Sequence, residues 1–269
     1  NVTDMTTDLE FDYVIVGGGA AGCVLAARLA AESDGTVALL ERGQRDTNRW
    51  IHIPATFFKA LQSQDNNAVV SEPDPSLDGK PFPVPQGKVL GGGSSVNGMI
   101  YMRGQHRDYD DWADEHGCTG WAYKDVLPVF RRQEANTRIS DDYHGARGKL
   151  VVDDPSEAHP VSRQIIAAAV SAGVPETDDF NGAQQEGAGW YQVTASGGQR
   201  QSAAHCFLKP ELDRENLIPT CADSALIRAG RRKRLRMRRI CIVPISAIWS
   251  AVLAIQPLRS WISWLWHWV

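Results

Sequence analysis

A glycine-rich turn near the N-terminus constrains this chain more than any other feature. Residues 12–16 (Asp-Tyr-Val-Ile-Val) are a short apolar, β-branched run, as expected of a buried parallel strand. Gly17-Gly18-Gly19-Ala20-Ala21-Gly22 follows, and residues 20–32 read as a helix whose alanines give it a closely packing face. Asp34-Gly35 is a turn, and residues 36–40 are a second apolar strand ending at Glu41. Strand, glycine turn, helix and strand make one βαβ unit. In such a unit Gly17 permits the tight turn, Gly19 lets a pyrophosphate approach the backbone, and Gly22 lets helix and strand pack closely. The N-terminus of the helix offers unpaired N–H groups and partial positive charge to phosphates. Glu41 stands where a carboxylate accepts hydrogen bonds from ribose hydroxyls and disfavours a 2′-phosphate. The pattern predicts adenine-dinucleotide binding. By itself it does not separate a flavin from a nicotinamide.

A second glycine-rich run narrows the choice. Gly87-Lys88-Val89-Leu90-Gly91-Gly92-Gly93-Ser94-Ser95-Val96-Asn97-Gly98-Met99-Ile100-Tyr101-Met102-Arg103-Gly104 continues to Asp108-Tyr109-Asp110-Asp111-Trp112. Three consecutive glycines followed by Ser94 and Asn97 form a concave backbone surface with polar tips, suited to a diphosphate and a ring edge. Neither Gly92-x-Ser94-x-Val96 nor Gly93-x-Ser95-x-Asn97 fits the G-x-S-x-G of a hydrolase elbow.

The run resembles the first signature of the glucose–methanol–choline (GMC) oxidoreductases, flavoproteins that oxidise alcohols. The likeness is continued by Gly120-Trp121-Ala122-Tyr123-Lys124-Asp125-Val126-Leu127-Pro128, by Gly197-Gly198-Gln199-Arg200-Gln201-Ser202-Ala203-Ala204 and by Phe207-Leu208-Lys209-Pro210. It covers about residues 11–217 and is nearest to the bacterial alcohol dehydrogenase and choline dehydrogenase branch. It implies an FAD cofactor, with Gly91, Gly92, Ser94, Asn97, Gly98 and Met99 as contacts beside Gly17, Gly19, Gly22 and Glu41. Some relatives attach the flavin through a histidine in this loop. The matching position here is Val96, which implies a non-covalent cofactor.

The resemblance further implies oxidation of a primary alcohol to an aldehyde by hydride transfer to the flavin, with choline as the alternative substrate. The acceptor it implies is not NAD but a quinone or similar molecule. A histidine base takes the hydroxyl proton in such chemistry. That base and its His or Asn partner belong near the end of a much longer chain, as does a second Ser-Pro…Ser-Gly signature. His52, His106, His116, His144, His159, His205 and His267 are scattered, and the matching loops place none of them in the role. The catalytic residues are therefore unassigned, and the chain is expected to be truncated.

Charge separates the chain into two parts. Residues 224–269 hold nine of the 28 basic residues and none of the 32 acidic ones, so they carry +9 against −13 for residues 1–223. Five of the nine tryptophans lie from Trp249 onward. Acid-free, Arg- and Trp-rich sequence is what a shifted reading frame of GC-rich DNA produces, and residues 224–269 are expected to be off-family. Two rival readings stay open. Residues 240–255 are apolar behind a basic flank, but they are shorter than the ~20 residues a crossing helix needs and contain Pro244. Peripheral contact through the tryptophans fits better. A nucleic-acid contact by residues 231–239 lacks any supporting motif.

Cys23, Cys118, Cys206, Cys221 and Cys241 are odd in number and form no C-x-x-C pair, so neither a metal site nor a disulfide framework is expected. The first ten residues are polar and acidic, unlike a secretory leader, and a cytoplasmic enzyme with peripheral contact at the inner membrane is the expectation. Chain-wide, the expected fold is α/β: a Rossmann-like FAD-binding domain with a partial substrate-side portion at about residues 140–195. Residues 42–86, with five prolines from Pro73 to Pro85, are expected to be irregular. Helices are expected at 107–115, 124–134 and 160–172. The last has Val161, Ile165, Ile166, Ala169 and Val170 on one side. A strand is expected at 190–194. The alternative to an enzyme is a non-catalytic flavin-binding remnant.

Overall fold

The computed structural model describes residues 9–156, 159–222 and 235–242. The N-terminal unit forms as its sequence requires. Strand β1 (Leu9–Val16) leads through the glycines into α1 (Ala20–Glu32), and β2 (Val37–Leu40) returns parallel to β1, with Val16 opposite Leu40. The irregular stretch contains two short helices, α2 (Arg49–His52) and α3 (Phe57–Leu61), and a small hairpin of β3 (Val69–Val70) with β4 (Pro83–Val84). Asn48 starts α2 because its side chain accepts from the Trp50 N–H, a local cap that outweighs the lack of apolar periodicity.

Helices α4 (His106–Asp114) and α5 (Tyr123–Gln133) lie within a residue of their expected bounds at each end. A capping box between Gln105 and Asp108 starts α4. The two pack through Tyr109, Tyr123, Val126 and Phe130. The chain then adds β5 (Glu134–Asn136) and β6 (Leu150–Val152) as a parallel pair, α6 (Pro160–Ser171), and a hairpin of β7 (Ala195–Ser196) with β8 (Gln199–Arg200). No strand forms at 190–194. Only Val193 makes isolated bridges, to Ile100 and Asp153. The apolar side expected on α6 is present but not covered: no residue of α6 is buried, and Ile165 is 64% exposed.

A π-helical turn, Ala204–Leu208, precedes β9 (Leu217–Thr220) and β10 (Leu235–Ile242). The main sheet is four parallel strands in the order β10-β1-β2-β9. Its core joins one face of the sheet to α1 and the π-helical turn through Ile15, Cys23, Val24, Leu29, Leu39, Phe207, Leu208 and Leu217. Each Val, Leu, Ile or Phe removed from water there contributes about 1.5–3 kcal/mol. Most of the tail lies outside the described residues. The stretch that is described, Leu235–Ile242, pairs in parallel along β1 rather than standing apart from the sheet.

Candidate functional site

Both glycine runs meet at the carboxyl ends of β1 and β2, where parallel sheets of this type place ligands. Gly17 leaves β1 with φ 103°, which only glycine adopts freely, and its N–H donates to the Leu40 carbonyl at 2.8 Å. Gly22 lies so close beneath it that a Cβ would sit 1.9 Å from the Gly17 carbonyl oxygen. Gly19 is the N-cap of α1. It contributes no side-chain cap, and the first turn holds no acidic residue, so the helix terminus has no internal anion. A Cβ on Gly19 would meet nothing within 4 Å. Open space therefore adjoins a helix end that has no side-chain cap and carries partial positive charge.

The second run forms the facing wall. The Gly91 N–H donates to the Gly18 carbonyl at 2.7 Å, and a Cβ on Gly92 would lie 2.7 Å from the Gly19 Cα. Gly91 and Gly92 have φ 87° and 53°. A short 3-10 turn, Gly92–Ser95, follows. Ser94 Oγ donates to the Gly91 carbonyl at 2.6 Å and accepts from the Ala203 N–H at 3.0 Å. Asn97 Oδ1 accepts from the Met99 N–H at 3.2 Å, and Met99 adopts φ 63°, a left-handed conformation costly for a residue with a side chain. Its carbonyl is held by the Thr194 N–H at 2.8 Å. Gly98 follows Asn97 with Phe57 at van der Waals distance from where a Cβ would be. Nine of the ten expected site residues lie in these two glycine runs, and the tenth, Glu41, follows β2.

Glu41 is placed at the end of β2 but is already engaged. Its Oε2 accepts from the Gly18 N–H at 2.8 Å and its Oε1 from the Gly43 N–H at 2.7 Å, and the residue is buried. Each carboxylate oxygen has a second lone pair, so capacity for a hydroxyl donor remains. Val96 packs with Ile51, Ala60 and Val89 and carries no nucleophilic atom. These features fit an adenine dinucleotide with a ring system: a phosphate-ready helix end, a cradle that side chains would fill, and a carboxylate at the ribose position.

One residue of the site had no role assigned from sequence. Arg200 is fully buried and donates from Nη1 to Asn97 Oδ1 at 2.7 Å and to the Ser94 carbonyl at 3.2 Å, while Nε reaches the Ile51 carbonyl at 2.7 Å. It stands in a recognisable motif, yet nothing in a G-x-R-x-S string shows that the guanidinium turns inward.

Among the described residues, no histidine ring hydrogen-bonds to either glycine run. His52 binds the Asp46 carbonyl, His159 caps α6, and His106 stacks on Tyr123 at 3.6 Å between ring centroids. His144 is buried elsewhere, between Glu134 at 2.9 Å and Asp179 at 3.1 Å. Burial opposes its charge, but the hydrogen bonds to Asp179 and Glu134 and the nearness of both carboxylates push its pKa up to about 9. Glu134 also pairs with the buried Arg103, so two cations alternate with two carboxylates. Asp141, His144 and Asp179 bring possible ligand atoms within 4.8 Å of one another. Both ring nitrogens of His144 already have carboxylate partners, and Asp141 Oδ1 accepts from the Tyr143 and His144 main-chain N–H groups. Cys23, Cys206 and Cys221 are buried, and Cys118 is exposed. Burial raises the Cys23 and Cys206 pKa values, so both stay protonated and inert. No helix among the described residues is long and apolar enough to cross a membrane.

Comparison with known proteins agrees with this geometry. The family model described as GMC oxidoreductase matches residues 11–235, beyond Leu217, where the resemblance had been expected to fade. The extension takes in β9, which pairs in parallel with β2 and buries Leu217 and Thr220. The chain is 43% identical over 209 residues to an alcohol dehydrogenase [acceptor] of Pseudomonas putida, covering 77% of this chain and 38% of that one. It is 38% identical over 234 residues to an oxygen-dependent choline dehydrogenase of Rhizobium etli strain CIAT 652, covering 86% and 42%. Among solved structures, pyridoxine 4-oxidase from Mesorbium loti superposes with a TM-score of 0.75 at 32% identity over 78% of this chain and 42% of that one. An FAD-dependent oxidoreductase from Chaetomium thermophilum gives 0.71 at 27% identity over 78% and 38%. The chain spans about two fifths of the length of these proteins. By its matched residues and its fold, the chain belongs to the GMC oxidoreductases.

Proposed function

We propose that this chain is the FAD-binding part of an enzyme that oxidises a primary alcohol to an aldehyde and passes the electrons to an acceptor other than NAD, such as a quinone. The observation that carries the reading is the contact between the two glycine walls, Gly91 N–H to Gly18 carbonyl and Gly92 against Gly19, over an uncapped helix end. When bound, FAD supplies the hydride acceptor. The protein's part is positional. The α1 terminus and the N–H groups around Gly19 hold the diphosphate, Glu41 takes the ribose, and the segment from Ser94 to Met99 lines the ring. Val96 offers nothing to form a covalent link, so the cofactor is held non-covalently. The buried network of Arg103, Glu134 and His144 lies at the far end of the second run, away from the wall of residues 91–99 in sequence, and is assigned to structure.

A primary alcohol other than choline is preferred to choline as substrate because the alcohol dehydrogenase likeness is the higher of the two in identity, although the choline dehydrogenase match covers more of the chain. The alternative is a protein that binds flavin without turning over. It is favoured by the absence, among the described residues, of any histidine hydrogen-bonded to the glycine walls. The expected frameshift in residues 224–269 belongs to this proposal, and peripheral membrane contact by that segment is its rival. Anaerobic titration of the FAD-loaded chain with primary alcohols separates the readings. Bleaching of the flavin band supports the enzyme, and uptake without bleaching supports the remnant. Folded protein that takes up no FAD excludes both.

A further inference from the structure

Arg200 differs from the buried cations Arg103 and His144 in having no counter-charge among the described residues. Arg103 and His144 each face Glu134. Arg200 pairs with no carboxylate among the described residues, and its buried Nη2 finds no hydrogen-bond acceptor there. Burial alone pulls its pKa down to about 10, which leaves it charged at neutral pH. A buried cation without an anion is costly, and native proteins keep one where something compensates it. The three acceptors it does have are neutral oxygens, and two of them belong to the second glycine run. Through Asn97 Oδ1 the guanidinium is one hydrogen bond from the left-handed Met99. The Ser94 carbonyl it holds belongs to the residue whose hydroxyl ties Gly91 to Ala203.

We propose that Arg200 is a positioning residue for the flavin: its Nη1 sets Asn97 and Ser94 while Nε anchors it to Ile51, and its uncompensated charge is balanced by the anionic cofactor. This rests on the flavin reading above and deepens it. Two effects follow. The apoprotein binds FAD more tightly than it would without the charge, because binding supplies the missing anion. The charge also favours reduced over oxidised flavin, because reduction adds negative charge in a low-dielectric site.

The test uses the full chain with Arg200→Lys, which keeps the charge and loses the fork, and Arg200→Gln, which loses the charge. FAD affinity is read by flavin fluorescence on titration, the midpoint potential of the bound flavin by dye equilibration, and folding by circular dichroism. Arg200→Gln is expected to weaken FAD binding at least about tenfold and to shift the flavin potential downward, while Arg200→Lys keeps the potential of the parent. Folded Arg200→Gln with affinity within about twofold of the parent and an unchanged potential would overturn the proposal. So would equal losses in both variants, because a fork acting only through geometry fails identically with Lys and Gln. If Arg200→Gln does not fold, Arg200→Lys decides: a retained potential supports the charge, and a lowered one refutes it. Failure of the parent chain and both variants alike to take up FAD would instead overturn the flavin reading, and this inference with it.

Discussion

Gly22 and Glu41 show how little freedom the first glycine run leaves at single positions. A methyl group on Gly22 has nowhere to go, since the Gly17 carbonyl is main chain and cannot move aside. Gly22→Ala is expected to destabilise the fold by about 1–3 kcal/mol, read as a lower urea midpoint with an unchanged slope. Gly19→Ala meets no obstacle in the protein, so its stability should remain within about 1 kcal/mol of the parent while FAD affinity falls. Equal damage from both variants would show that the open space at Gly19 is not a ligand site. Val96 gives a qualitative test. Acid precipitation of the FAD-loaded protein should leave the flavin in the supernatant, and yellow colour retained in the pellet would refute non-covalent binding.

Between elements, the alternating charges of Arg103, Glu134, His144 and Asp179 tie the segment after the second glycine run to β5 and to the loop before Asn181. The folded pKa of His144, about 9, stands above its usual 6.5. Its contribution to stability is therefore complete below about pH 6.5, declines between 6.5 and 9 and is gone above 9, and amounts to roughly 3 kcal/mol at most. Asp179 has the opposite sign. Burial works to raise its pKa, but the His144 hydrogen bond and the Asn181 N–H outweigh that and lower it, so its share is lost as the solution is acidified below the usual carboxylate range. Thermal midpoints across pH 4–10 should fall toward the alkaline end, and His144→Gln should flatten that fall. Glu134→Gln leaves Arg103 without a carboxylate partner and His144 with Asp179 alone, and is expected to cost about 3–5 kcal/mol, enough to threaten folding. Sequence reasoning saw none of this, because the four residues lie in three separate stretches with no shared spacing. It also put an apolar side on α6 correctly and could not see that the side stays open.

For the molecule as a whole, the decisive question is whether the tail belongs to the fold. Composition argues that residues 224–269 are foreign to what precedes them, yet Leu235–Ile242 lies in parallel register along β1. A chain ending at Ala222 is expected to melt several degrees lower than the full chain, because β1 becomes an unprotected edge. An unchanged midpoint would show that the tail is incidental, as a shifted frame implies. The βαβ unit, the two glycine runs and the family were legible in order along the chain, because turn chemistry and strand patterning act over a few residues. What only the tertiary structure decided was how distant pieces meet: Gly92 against Gly19, Glu41 already satisfied by main-chain amides, Arg200 turned inward to Asn97, and β10 beside β1. Local propensity says where a strand or a turn forms, but packing determines which buried charge finds a partner and which is left to wait for a ligand.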